Sequence, residues 1–506
     1  VTYESALEAP GRVNVSGFLA SRTFWLLAAV VLLAAAVQIH WGVNTDTSWN
    51  ITLAEKALDG ARPYVDFIEI NPPLSFLIYL PPILVARLSG TAPEFVIDLF
   101  CFVGAALSLW LSGIVLARGG AVTPAAGSRL AAIAFAVLLL LPMRAFSERE
   151  HIALMASLPC LAALAVWASR ERVEPILSLL AGLGAGLAIA IKPHFALFFL
   201  PNLTYLAWRT GWRSLVPRIE LWAALAAVAL YWTAVALWCP AFFERAVPIA
   251  RDIYVPFHKP LSTLPHDPTI HAWIALGALL AFAARKRWAE PLVAVPALAS
   301  AGAMAAYLIQ SKLWAYQAYP ALALLVLALL RLILENPATP HGARIAPGRL
   351  AVAVLSALMI FFAGVRLSLG GHDSDRLERA VAQIAPHPKI LTIAPGIGDG
   401  HPLTRRVQGV WVGSVMSLWI TEMSDAALRR NPTPEDARKF EAYRRLDRQT
   451  LVADIVDKKP DAILIVGDDW LAWAHNNADV AAALAEYHLR EAVDDVMIYA
   501  RNDAER

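Results

Sequence analysis

Residues 44–89 read NTDTSWNITLAEKALDGARPYVDFIEINPPLSFLIYLPPILVARLS, and their reading decides the fold. They follow directly on an uninterrupted apolar run at 23–43. The end of the stretch, 72–89, is itself apolar enough to resemble a second membrane crossing. Pro81 and Pro82 interrupt it, and a proline removes a backbone donor and clashes with the preceding turn. The segment is therefore read as a juxtamembrane helix, and 44–93 as one long loop at the membrane surface. Ser48 is placed as the cap of a helix running to about Leu58, with Gly60 as its stop. Asp46 then lies just ahead of that helix.

The composition agrees with a membrane chain. Of 506 residues, 58% are hydrophobic and 17% charged, and mean hydropathy is +0.53. Soluble domains average about 45–50% apolar and about 25% charged residues. A net charge of +2 argues against a bulk nucleic-acid binder. Cys101, Cys160 and Cys239 lie in or beside apolar runs without metal spacing, so they read as small packing residues. A bilayer crossing needs about 20 apolar residues, which gives about eleven candidate spans. They lie near 23–43, 94–117, 130–145, 151–169, 175–191, 194–209, 219–240, 271–285, 290–309, 315–333 and 349–369. The first run is longer than a signal-peptide core and has no small-residue cleavage site behind it, so it reads as a span.

Orientation follows from Lys and Arg in the short loops. With the N-terminus in the cytoplasm, the returning loops carry Arg118/Arg129, Arg170/Arg172, Arg209/Arg213/Arg218, Arg285/Lys286/Arg287 and Arg344/Arg349. Had 72–89 crossed, all of these would face outward.

The opposite side collects the reactive side chains. Loop 44–93 holds Asp46, Asp66 and Glu69; a partly buried carboxylate there is suited to general-base work. The next outer turn, MRAFSEREHIALM, crowds Arg144, Glu148, Arg149, Glu150 and His151 at the mouth of a span. IKPHF supplies Lys192 and His194, and QSKLWAYQAYP supplies Lys312, Tyr316 and Tyr319. A lone Lys at a helix end usually snorkels. Basic residues in three successive outer turns, each beside His or Tyr, instead predict a positive pocket for a lipid phosphate. Loop 241–270 is long, Pro-rich and aromatic, and reads as a structureless, mobile loop over a cleft. Its His258, Lys259, His266 and Asp267 match no standard metal site, and His258 is a candidate phosphate contact. After about 371 the charge returns: KILTIAP and DAILIVG read as strands, 433–458 as a charged helix, DDWLAWAHNNADVAAALAEY as a further helix and DVMIYAR as a last strand. That alternation predicts a small α/β domain on the outer face. The Gly-rich turn IAPGIGDG matches no nucleotide-binding pattern.

Taken together, Asp46 after the first span, Pro63-Tyr64-Val65-Asp66-Phe67, the Pro72-Pro73-Leu74 helix start, and the Glu148-Arg149-Glu150-His151 and Lys192-Pro193-His194 turns resemble the GT-C superfamily. These are polytopic glycosyltransferases that use polyprenyl-phosphate-linked sugars. Within it the chain is most similar to bacterial relatives of the protein O-mannosyltransferases and to the lipid A aminoarabinose transferases. The resemblance covers roughly 23–370. It implies a GT-C-like helical membrane domain at 23–370 after a cytoplasmic 1–22, with a periplasmic α/β domain at 371–506, in a bacterial inner membrane. It implies an inverting transfer from a polyprenyl-phosphate sugar to a periplasmic glycan, glycolipid or protein acceptor. Asp46 is implied as the base. Asp66, Glu69, Glu148, Tyr316 and Tyr319 are implied at the sugar or acceptor. Arg149, His151, Lys192, His194, His258 and Lys312 are implied at the lipid phosphate. Many members carry two adjacent acids at the first position; here Thr47 follows Asp46, which leaves a divalent cation open and assigns no metal ligand.

Three other readings use the same features, one of them a structural membrane partner without catalysis, for which Asp46→Asn has no consequence. A surface-polysaccharide polymerase or ligase would put its key basic residues in a large later loop. A transporter would put ionisable residues near the bilayer midplane and show a repeat of broken helices.

Overall fold

The computed structural model describes residues 22–334, 347–369 and 374–502. Most of the expected cytoplasmic N-terminus, and Arg344, lie outside the described residues. The helices of the apolar part are α1 (Arg22–Trp41), α2 (Thr45–Leu58), α3 (Leu80–Ser89), α4 (Pro93–Arg118), α5 (Pro124–Leu140), α6 (Arg149–Ala168) and α7 (Pro175–Ile191). They continue with α8 (Leu200–Thr210), α9 (Ile219–Trp238), α10 (Pro268–Ala284), α11 (Pro291–Gln310), α12 (Tyr319–Leu334) and α13 (Pro347–Ser368). Among the described residues, 7 helices are long and apolar enough to cross a membrane: 24–41, 93–118, 149–168, 219–238, 291–310, 315–333 and 351–368. The helices α5, α7 and α10 are apolar but shorter.

The deciding stretch folds as two short pieces. A turn at Leu74–Leu77 breaks before α3, which has 10 residues. At 1.5 Å per residue α3 extends about 15 Å, half of the roughly 30 Å hydrocarbon core. Pro81 and Pro82 occupy its first turn, where a missing N–H costs nothing. Gly90, at φ 66°, ends it. The cap of α2 differs from expectation. Asn44, rather than Ser48, accepts from the Thr47 amide at 2.8 Å. The helix therefore starts at Thr45, and Asp46 sits inside its first turn.

The helix α6 is the centre of the membrane part. Its apolar window is 89% buried, against 11% for α1 and α9. It packs on α4, α7, α11 and α12. Small residues let α7 and α9 approach closely: a Cβ at Gly186 would stand 2.6 Å from that of Ala227, and one at Gly182 2.7 Å from that of Ala223.

The tail forms a five-stranded sheet in the order β2-β1-β3-β5-β4, from β1 (Lys389–Ile393), β2 (Val410–Trp411), β3 (Ala462–Val466), β4 (Tyr487–Val493) and β5 (Val496–Arg501). The strands β2, β1 and β3 run parallel, while β5 and β4 form an antiparallel hairpin. The strands β1, β3 and β5 and the helix at Pro434–Lys458 fall where the sequence placed them. The strand β4 was not anticipated, because its five inner residues are exposed and show no apolar–polar alternation. One buried cluster joins Trp49 and Leu53 of α2 to Ile390, Leu464 and Ile498 of the sheet, so the tail lies directly on α2.

Loop 241–270 corrects an expectation. It is wound into helical turns at Phe242–Ala246, Val247–Ile249, Ala250–Tyr254 and Leu261–His266 rather than left without structure. Ile249 and Ile253, four apart on one helical face, pack on Val415, Trp419 and Ile420 of the tail.

Candidate functional site

Four segments converge at the N-terminus of α6. Glu148 is its cap residue, so Arg149, Glu150 and His151 fill its first turn. All four side chains are buried. Arg149 Nη2 lies 3.4 Å from Asp46 Oδ1, joining α6 to the first turn of α2. Lys192 Nζ, at the end of α7, lies 2.6 Å from Glu150 Oε1. The same ammonium sits 5.9 Å from the centre of the Tyr316 ring. Asn44 Nδ2 donates to the Arg144 carbonyl at 2.7 Å and ties the start of α2 to the 143–147 turn.

The turns that carry these groups are strained. Met143 (φ 50°) and Ser147 (φ 60°) bracket Arg144, and Ser311 (φ 48°) and Leu313 (φ 59°) bracket Lys312. A non-glycine residue held there costs on the order of 1–3 kcal/mol, and such residues cluster at functional sites. The electrostatics point the same way. Burial, with the Asp46 carboxylate alongside, pushes the Glu148 carboxyl well above its ordinary range. Glu148 Oε2, Arg149 Nε and Glu150 Oε2 are buried with no hydrogen-bond partner among the described residues. Buried polar atoms are nearly always paired, so these represent unused bonding capacity facing one cluster.

The expected positive pocket is instead a cluster of paired charges. Arg149 and Lys192 each hold a carboxylate, so their field is largely cancelled. Lys312 donates to the carbonyls of Tyr254, at 2.6 Å, and Phe257. Its Nζ stands 4.3 Å from the centre of the Tyr254 ring, and burial pushes its ammonium down to about 8. Lys312 therefore pins loop 250–257 to the 311–314 turn. His194 faces Gln310, with Nε2 to Nε2 at 3.4 Å.

Other anticipated residues lie in supporting places. His151 Nδ1 accepts from the Ser147 amide at 3.2 Å, and its ring meets Tyr319 edge-on at 5.6 Å. Both are fully buried, so they belong to the helix core around the site. Asp66 is paired with Arg62 at 2.9 Å on the surface, and that guanidinium holds its carboxyl down at about 2. Glu69 accepts from Trp49 Nε1 at 2.7 Å, from the amides of Ile70 and Asn71 at 2.8 Å, and from Asn71 Nδ2 at 2.7 Å. Asp66 and Glu69 thus close their own loop and do not join the cluster. His258 is exposed, outside the cluster.

The sequence reading passed over Tyr254, whose ring and carbonyl hold Lys312. The spacing of Ile249 and Ile253 was the available signal for a helix that presents it. Among the described residues, no group of three or more His, Cys, Asp or Glu converges to hold a metal ion.

An apolar groove of about 350 Å³ lies between α4, α6, α7 and the start of α3. Tyr79, Phe100, Leu107, Ile152, Pro159 and Leu187 are among its walls. The Tyr79 hydroxyl donates to the Ser147 carbonyl at 2.7 Å, so the groove's upper end adjoins the turn that carries Glu148.

No family model matches the sequence, and no curated protein matches it. Solved structures do match the fold. ArnT from Cupriavidus metallidurans bound to undecaprenyl phosphate superposes with a TM-score of 0.56 at 14% identity, covering 96% of this chain and 99% of that chain. The same enzyme in the apo state gives 0.54 at 14% identity, covering 96% and 98%. The chain is thus a mostly helical, multi-pass membrane protein with an ArnT-like GT-C fold.

Proposed function

We propose that the protein transfers a sugar from a polyprenyl-phosphate-linked donor to a glycan, lipid or protein acceptor at the periplasmic face of the inner membrane. The observation that carries this reading is the buried Arg149–Asp46 pair at the N-terminus of α6, about one turn from Ile152, which lines the apolar groove. It occurs on a fold shared with a protein whose structure holds undecaprenyl phosphate. A prenyl chain is the occupant such a groove fits, and its phosphate would then sit beside Arg149, Lys192 and Glu148.

Asp46 takes the proton of the acceptor hydroxyl as its oxygen bonds to the anomeric carbon from the face opposite the phosphate. The bond from that carbon to the phosphate oxygen breaks, and the electron pair leaves on the lipid phosphate. Configuration inverts. The growing charge needs preorganised donors. Arg149 and Lys192 provide them by exchanging their carboxylates for phosphate oxygens, and Arg149 Nε adds a donor the protein itself leaves unused. Tyr316, whose ring centre is 5.9 Å from Lys192 Nζ, would contact the sugar or the phosphate.

The topology that goes with this reading has eleven spans in 23–370, a cytoplasmic 1–22 and a periplasmic 371–506. Trp208, Trp212 and Trp222 are exposed around the Arg209–Arg218 turn, as an interfacial belt on the basic side requires. The test is turnover of a panel of polyprenyl-phosphate monosaccharides in lipid nanodiscs, with membrane glycolipid extract as acceptor. Asp46→Asn should lower turnover of the accepted donor by about 10²–10⁴-fold, the usual share of a general base, and leave donor binding intact. Turnover indifferent to Asp46 removes it as the base. If no lipid-phosphate sugar binds, the transferase reading fails.

A further inference from the structure

The helix α2 is held between two bodies. Ile51 and Ala54 pack with Tyr79, Ile83 and Ile97 on the membrane side. The helix also makes polar contacts with the tail at three positions. Lys56 Nζ donates to the Gly413 carbonyl at 2.6 Å. Glu55 accepts a forked pair of bonds from Arg405, at 2.7 and 3.1 Å, while Arg405 also reaches Glu94 at the start of α4. Ser48 Oγ shares a hydrogen bond with His401 Nδ1 at 2.9 Å. The first two contacts grip the far end of α2. The third lies two residues from Asp46.

The His401 ring is built into place. It is fully buried between two indoles, with ring centres 5.5 Å from Trp49 and 4.7 Å from Trp411. Its Nε2 has no partner among the described residues, so Ser48 is the polar contact that orients it. Burial, with Arg405 and Lys56 nearby, pushes its ring down to about 3, so the contact does not titrate near neutral pH. Trp49, which meets this ring edge-on, is in turn fixed by Glu69.

We propose that His401, on the tail, is a positioning residue for Asp46: through Ser48 it sets the first turn of α2 so that the carboxylate faces Arg149. The inference rests on the reading of Asp46 as the base. It gives the C-terminal region a role in the reaction without contact with any reactant.

The experiment uses the full chain in nanodiscs with Ser48→Ala, His401→Leu, the double variant and His401→Asn, whose amide reaches the former Nδ1 position. Hydrogen exchange of amides 45–51, melting temperature and turnover of the polyprenyl-phosphate monosaccharide accepted by wild type are measured together. Each of the first two single variants should speed exchange at 45–51 and lower kcat by on the order of 10-fold or more, since a 1 Å misplacement costs up to 10²-fold. The KM for donor should stay within about twofold, because uniform binding is untouched. The double variant should be no worse than either single one, as expected for one shared contact, and His401→Asn should recover most of the loss. Unchanged exchange at 45–51, additive losses, or kcat falling only in step with melting temperature would overturn the proposal. If His401→Leu does not fold, Ser48→Ala tests the same bond with a smaller change. Should Asp46→Asn leave turnover intact while exchange responds as expected, the base assignment fails and the restraint on α2 stands. Should Asp46→Asn abolish turnover while the Ser48 and His401 variants change nothing, the positioning role fails and the base stands.

Discussion

The Glu150–Lys192 pair allows stability to be separated from chemistry. Its atoms are 2.6 Å apart, and the side chains are 1% and 7% exposed. At an effective dielectric of about 20, the Coulomb attraction at that distance is about 6 kcal/mol, most of it spent against desolvation. Lys192→Met removes the cation and leaves the buried Glu150 with neither oxygen paired, since Oε2 already has no partner. The expected loss is about 3–5 kcal/mol. Adding Glu150→Gln in the same chain removes the uncompensated charge and should recover most of that loss. Unfolding in nanodiscs, followed by tryptophan fluorescence, measures both variants, and binding of a polyprenyl phosphate is measured on whatever folds. A Lys192→Met variant as stable as wild type, or a double variant no better than the single one, would refute the placement of this pair as a buried, mutually dependent unit. A double variant that folds but no longer binds the lipid would add a direct role for Lys192 at the phosphate.

The tail carries a second electrostatic test. Burial pushes the Asp447 carboxyl up to about 7, so the folded protein keeps a proton there that the unfolded chain releases near 3.8. Stability from this group is full below pH 3.8 and is lost as pH rises through 7. Asp447→Asn should therefore melt above wild type at pH 8, with the advantage disappearing towards pH 4; an equal shift at both pH values would contradict the buried placement. A Cβ at Gly302 would run into the Leu197 carbonyl, so Gly302→Ala should cost about 1–3 kcal/mol or more. Gly113→Ala, with nothing within 4 Å, is the control that should not. A reporter fused after residue 215 should behave as cytoplasmic and one after 380 as periplasmic. The reverse result would put the α6 cluster on the wrong side of the membrane.

Much of this arrangement was legible in the sequence because it is local. The paired prolines at 81–82 mark the break before α3, and β1 and β3 stand out as compact apolar runs. Asp46 and the Glu148–His151 turn stood out as charge at the membrane edge. What the sequence did not disclose is tertiary. Nothing in the local sequence says that Arg149 meets Asp46, or Lys192 meets Glu150, and those pairings turn an expected positive pocket into a balanced one. Asn44 and Ser48 are both good caps; in the fold Asn44 takes the Thr47 amide, while Ser48 meets His401, some 350 residues away. Glu69 looked like a free acid because its four donors come from Trp49 and from the fold of its own loop. Tyr254 was missed because a proline-rich loop gave little sign of becoming helical.

The burial of α6 also sets an order for assembly. Its first turn brings Arg149, Glu150 and His151 to the membrane ahead of a run of mean hydropathy 1.8. Isolated ionisable groups are costly to place at a membrane. Asp46 is already synthesised when α6 emerges, but Lys192 follows Glu150 by 42 residues, at the far end of α7. Glu150 therefore gains its ion-pair partner only once α7 has been made and laid against α6. The pair thus couples the placement of these two helices, and a chain ending between them would leave Glu150 without its partner.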